Sequence, residues 1–155
     1  MNYTELIEQL AAFPDQLQQM INGRSETQLT ALALAGEWSV AQNVHHLADS
    51  HMNGFIRTKL ALTEDHPTFK PYNEALWSAM ADETHTDFSG SLAILRGVHA
   101  RWAYLLRALT DDQWQRAGFH PELGHDERVA DLLRVYVEHG EAHLNQMRRT
   151  LAAQL

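Results

Sequence analysis

Four stretches of this chain repeat their apolar residues at spacings of three and four, and no stretch gives a convincing β-branched alternation at two. That period decides the fold class, because a spacing of three and four puts side chains on one face of a helix, whereas a strand needs every second residue. In the first stretch, about Tyr3 to Asn22, the period is carried by Leu6, Leu10, Phe13, Leu17 and Ile21. Pro14 lies inside it and is expected to kink this helix or split it in two, and Gly23 supplies a stop signal. The second stretch opens at Ser39, with Gln42 three residues on in the spacing of a capping box. It runs through Val40, Val44, Leu47, Phe55 and Leu60 to about Thr63. The third begins after Ser89 and carries Leu92, Leu95, His99, Trp102, Leu106 and Leu109; the fourth runs from about Glu127 to Ala153. Between them HPTFKPYNE reads as loop, followed by a helical turn around Ala75–Met80, and FHPELGHDE reads as loop as well. Four long amphipathic helices predict an all-α fold, an antiparallel four-helix bundle in one domain over residues 1–155. The connections 64–88 and 111–126 are long for a minimal bundle, and long loops at one end often form the rim of a site.

Composition narrows the functions. No apolar run approaches the roughly 18 residues of a membrane helix, and MNYTELIEQL lacks the basic-then-apolar layout of a signal peptide. The chain has no cysteine, which excludes disulfides, a thiol nucleophile and cysteine zinc sites, and a cytoplasmic enzyme is the simplest expectation. A formal charge of −8 with no basic stripe argues against a nucleic-acid partner. The one oddity is ten histidines, scattered through the helical segments rather than gathered in a tract.

His139 and His143 are four apart, so on a helix their Cβ atoms lie about 5–6 Å from each other, close enough to share one ion. They continue the apolar stripe of Leu132, Val135, Tyr136 and Met147, which points into the bundle. Two imidazoles buried there without partners would cost free energy, and a metal ion between them removes the cost. The zinc-protease pattern has a glutamate after the first histidine; here that position is Gly140, and Glu141 points off the shared face. A catalytic site normally needs a third protein ligand. The second helix offers His46 on a stripe with Gln42, Asp49 and Asn53, which reads equally as a pocket lining or a solvent-exposed flank. His45 is expected at the surface and His51 as a half-buried packing residue. His99 also lies on an apolar stripe, and spacing alone leaves His46 and His99 unresolved as the third ligand.

Several blocks of the chain have a family resemblance. EWSVAQNVHHLADSHMNGFIRTKLALTE, KPYNEALW, VHARWAYLLRALT, FHPELG and YVEHGEAHLNQM together resemble, in order, the YfiT-like branch of the DinB superfamily. The resemblance implies a four-helix bundle with a divalent metal site near one end. Its ligands would be His46, followed by Leu47, with His139 and His143, and His99 would become a pocket residue. It implies a cytoplasmic, often dimeric metal-dependent enzyme with no DNA-binding activity. Members are described as metal-dependent hydrolases, and related branches transfer low-molecular-weight thiols such as bacillithiol onto electrophiles.

An ion held by three neutral imidazoles keeps its double charge and an open position, which serves hydrolysis or thiol transfer; zinc and nickel are the expected metals. Thiol transfer to a small electrophile is placed first, hydrolysis close behind, and a non-catalytic metal-binding bundle third. Asp49 is the expected proton acceptor or support for a ligand. Arg57 and Arg101 are candidates to hold an anionic group of the substrate; both also read as ordinary surface charge, the reading favoured for Arg101. Tyr72 and Trp77, and Asn53 beside Asp49, complete the expected small-molecule pocket.

Overall fold

The computed structural model describes residues 3–154. Its elements in order are α1 (Tyr3–Ile21), α2 (Glu26–Thr30), α3 (Val40–Thr63), α4 (Glu74–Trp77), a 3₁₀ turn (Ala81–Glu83), α5 (Ser89–Arg107), α6 (Asp111–Gln115), β1 (Ala117–His120), β2 (His125–Arg128) and α7 (Val129–Ala152). The four long helices are the expected ones. The capping box is formed: Gln42 N–H donates to Ser39 Oγ at 3.2 Å and Ser39 N–H to Gln42 Oε1 at 3.0 Å. Gly23 ends the first helix with a φ of 74°.

Four expectations need correction. Pro14 does not split α1, which is continuous from Tyr3 to Ile21. The segment FHPELGHDE is not loop: Ala117–His120 pairs antiparallel with His125–Arg128, with Gly124 (φ 69°) in the turn. This hairpin takes residues 127 and 128, so the last helix starts at Val129. Its strands show little apolar alternation because only four residues of each are paired. The helical turn of the 64–88 connection is α4 followed by the separate 3₁₀ turn, and the short α2 was not anticipated.

The four long helices form the bundle, α1 and α3 each packing on both α5 and α7. Contacts between α3 and α7 run in opposite senses, from Asn43 with His143 to Arg57 with Tyr136, so this pair is antiparallel. So is α1 with α5, where Gln18 meets Arg96 and Glu8 meets Arg107. Between α3 and α5 the contacts advance together, His45 with Ser91, His51 with His99 and Phe55 with Trp102, so these neighbours are parallel. Reaching a parallel neighbour means returning along the whole of α3, about 36 Å at 1.5 Å per residue. The 64–88 connection does this: it joins β1 at Phe69, then passes Gln42 at Ser78 and His45 at His85.

The apolar core lies in two clusters. One holds Phe13, Leu17, Leu47, Leu95, Leu144 and Met147; the other Leu10, Phe55, Trp102, Leu132, Leu133 and Tyr136. On α3, α5 and α7 the change of cluster falls at His51, His99 and His139, so a layer of imidazoles divides the core. Gly54 lets the rings beside that layer close up: a Cβ there would sit 2.5 Å from Tyr136 and 2.7 Å from Trp102. Gly97, also helical, has nothing within 4 Å of the same position. Replacing a helical glycine by alanine gains about 1 kcal/mol of propensity, whereas overpacking costs about 1–3 kcal/mol. Gly97→Ala is therefore expected to raise the urea midpoint and Gly54→Ala to lower it; a Gly54→Ala variant as stable as Gly97→Ala would contradict this packing.

Candidate metal centre

The antiparallel seam of α3 and α7 brings His46, His139 and His143 together, one ring nitrogen of each within 4.8 Å of the others. His139 Nε2 lies 3.3 Å from His46 Nε2 and 3.0 Å from His143 Nε2. Three nitrogens bound tetrahedrally about 2.0–2.1 Å from an ion would be roughly 3.3–3.4 Å apart, so the observed spacings fit one ion with little movement. His46 is 3% exposed, and His139 and His143 are half-buried, so the cluster is partly exposed. The donor set, imidazole without carboxylate or thiolate, suits zinc or nickel rather than magnesium or calcium.

The surroundings hold these rings in a ligating form. Asn43 donates its amide to the Ser39 carbonyl at 2.8 Å, which leaves its Oδ1 to accept from His143 Nδ1–H at 2.6 Å. The proton on His143 is thereby placed on Nδ1, and Nε2 is bare toward the cluster. Trp38 covers the same two rings, its centroid 4.7 Å from His46 and 6.1 Å from His143. Burial pushes the pKa of His46 and His139 down to about 3, with neighbouring imidazoles adding to the effect, and burial takes His143 to about 4. All three are neutral at pH 7, as metal ligation requires.

Behind His139 the core carries two more imidazoles. His139 Nδ1 lies 3.5 Å from His51 Nε2, His51 Nδ1 lies 2.8 Å from His99 Nε2, and His99 Nδ1 lies 2.5 Å from the Leu10 carbonyl. His51 and His99 are each 1% exposed, so His51 is fully rather than half-buried, and His99 is a core residue behind the ligands rather than a pocket wall. His45, expected at the surface, is also buried, held by Ser91 Oγ at 2.8 Å and the His85 carbonyl at 3.0 Å. Phe13 stacks on both His51 and His99, and a Cβ at position 140 would lie 2.7 Å from its ring. Gly140 is thus required by packing, and a protease-type glutamate does not fit there.

The carboxylate proposed for proton transfer follows His46 by one helical turn. Asp49 is half-buried and shares a hydrogen bond with Glu83 of the 3₁₀ turn. Glu83 is 4% exposed; burial and the Asp49 charge push its pKa up to about 8, so at neutral pH it holds a proton against Asp49. Trp77, Met80 and Asp82 line the same cleft, and Trp77 packs on Tyr72 with centroids 4.4 Å apart. Asn53 donates to the Asp49 carbonyl at 2.9 Å. Arg57 donates to Tyr136 Oη at 3.3 Å and to the Lys70 carbonyl at 3.2 Å, beside a ring packed against His51 and His139. Arg101 stands apart from this group, over the Phe55 ring at 5.4 Å in a surface cleft with Lys59 and Tyr104.

Sequence reasoning did not single out Asn43, Trp38 or Glu83, nor the linked role of His51. Asn43 carried a signal, a polar residue one turn before His46; Glu83 carried none, because only the return path of the 64–88 connection sets it on Asp49.

The DinB superfamily matches residues 9–147 of the chain. A protein of Bacillus subtilis (strain 168) named "Putative metal-dependent hydrolase YfiT" is 44% identical over 138 residues, covering 89% of this chain and 78% of the relative. A Halalkalibacterium halodurans protein also named as a "Putative metal-dependent hydrolase" is 37% identical, covering 94% of this chain and 84% of its own. The solved structure of YfiT from Bacillus subtilis, described as "a probable metal-dependent hydrolase with an unusual four-helix bundle topology", matches with a TM-score of 0.91 at 41% identity. That match covers 95% of this chain and 84% of that one.

Removing a ligand should empty the centre, and removing its support should loosen it. His46→Ala is expected to purify without stoichiometric metal, and Asn43→Ala to bind zinc about 10–100-fold more weakly in a chelator competition. Wild-type metal content in His46→Ala would contradict the ligand set.

Proposed function

The chain belongs to the DinB superfamily, and on that footing we propose that it is a metal-dependent hydrolase of a small molecule, with His46, His139 and His143 holding one divalent ion. The observation that carries the proposal is the convergence of three neutral imidazoles, one ring nitrogen of each within 4.8 Å of the others and His139 Nε2 3.3 and 3.0 Å from its two neighbours. No fourth His, Cys, Asp or Glu joins that group among the described residues, which favours an open catalytic site over a closed structural one. When bound, a divalent ion with three neutral ligands supplies a Lewis acid that makes a water at its open position nucleophilic at neutral pH.

The protein's own groups supply the remaining functions. Asp49, one turn from His46, takes the proton released by the nucleophile, and the neutral Glu83 beside it keeps the pair at a single negative charge. Trp38 packs on His46 and His143, and Trp77, packed on Tyr72, lines the cleft of Asp49, so aromatic surface is available to a small substrate beside both groups. Arg57, fixed by Tyr136 and the Lys70 carbonyl, is placed to hold an anionic substituent of the substrate. Arg101 is left out of this account because its cleft lies elsewhere.

Thiol transfer, placed first on the sequence, uses the same ligands, and the absence of cysteine leaves the ion free for an external thiol. The names of the relatives support hydrolysis over it. The test is turnover of ester and amide panels by the zinc- or nickel-loaded protein, with and without added small thiols. Hydrolysis predicts thiol-independent cleavage that falls by about 10²–10⁴ in Asp49→Asn with metal content unchanged. Turnover seen only with a thiol, its sulfur appearing in the product, would replace this reading by transfer.

A further inference from the structure

Pro14 lies in the interior of α1 and has no N–H to donate to the carbonyl four residues earlier, that of Leu10. An orphaned carbonyl inside a helix and inside the core needs another donor. Here the donor is His99 Nδ1, at 2.5 Å. A carbonyl can only accept, so the His99 proton must be on Nδ1, and His99 Nε2 is then an acceptor. The ring nitrogen facing it at 2.8 Å, His51 Nδ1, must therefore be the protonated one, which leaves His51 Nε2 bare. The nitrogen facing that atom at 3.5 Å is His139 Nδ1, which becomes a donor in turn. The proton of His139 is thus kept off Nε2, the atom aimed at His46 and His143.

We propose that Pro14 and His99 are positioning residues of the metal centre. By reserving the Leu10 carbonyl for His99, they orient one unbroken series of Nδ1–H donors that ends by presenting the His139 Nε2 lone pair to the ion. The inference rests on the ligand assignment of His139 but not on which reaction the ion supports. Its polarity is imposed from both ends, since a carbonyl accepts only protons and a metal accepts only lone pairs. Neither His51 nor His99, each 1% exposed, can reverse without setting two N–H groups or two lone pairs against each other in the core. The arrangement also explains why a proline is accommodated in the interior of an unbroken helix: the bond it removes is replaced by a side chain from α5.

The experiment reads tautomers and affinity rather than turnover. Long-range ¹H–¹⁵N spectra of the metal-free protein at pH 7 should show His99, His51 and His139 all neutral with the proton on Nδ1, the tautomer that a free histidine side chain disfavours. His99→Leu, which fills the core but accepts no proton from His51, should weaken zinc binding by about 10–100-fold in chelator competition. His99→Gln can accept from His51 and donate to Leu10 at once, and should restore binding to within a few-fold of wild type. Pro14→Ala returns a competing N–H to the Leu10 carbonyl and should weaken binding several-fold; unchanged binding would remove Pro14 from the assignment. An Nε2–H proton on His51 or His139 in the wild type, or equal affinity in His99→Leu and wild type, would overturn the whole proposal. If the protein proved to have no hydrolase activity, the tautomers and affinities would still decide this inference, so the two fail separately.

Discussion

The structure depends on a layer of imidazoles that four helices bury between two apolar clusters. An unpaired polar group in such a place costs about 1–3 kcal/mol, so the layer is tolerable only if each ring is bonded on both sides. The fold supplies partners with few parts: the Leu10 carbonyl to His99, Asn43 to His143, and the triad of ring nitrogens in between. The last of these is satisfied by a cation better than by any side chain present. Metal binding is in this sense part of the packing of the bundle.

The path of the chain follows from the same requirement. Ligands from α3 and α7 meet because those helices are antiparallel neighbours, whereas α3 and α5 run parallel and require a long return. That return lays Tyr72, Trp77 and Glu83 along the side of α3 that carries Asp49. A minimal bundle with short links would have the three histidines and lack the cleft beside Asp49. The connection that makes the topology possible also supplies much of the pocket.

The helices and the H-x-x-x-H pair were legible because both depend on spacing within one element. The choice of His46 over His99 as partner of the pair rested on family resemblance, and the geometry sets His46 beside it: His99 is turned to Leu10 and His51, His46 to α7. Residues whose role is set by tertiary neighbours were not legible. His45 and His51 sit on a helix of mixed polarity, and only the packing of α5 and the 64–88 connection buries them. Pro14 was read as a helix breaker because the replacement donor comes from 85 positions away in the chain, between His99 and Pro14. The hairpin was missed because Pro121 and Gly124 signal a turn while the pairings beside them are too short to show a period.

The central claim is a three-imidazole centre with one exchangeable position. X-ray absorption spectroscopy of the zinc-loaded protein tests it most directly. The account predicts three imidazole nitrogens at about 2.0–2.1 Å and one further light atom that is replaced when a small anion or thiol is added. Four protein ligands with no exchangeable position, or fewer than three imidazoles, would contradict it.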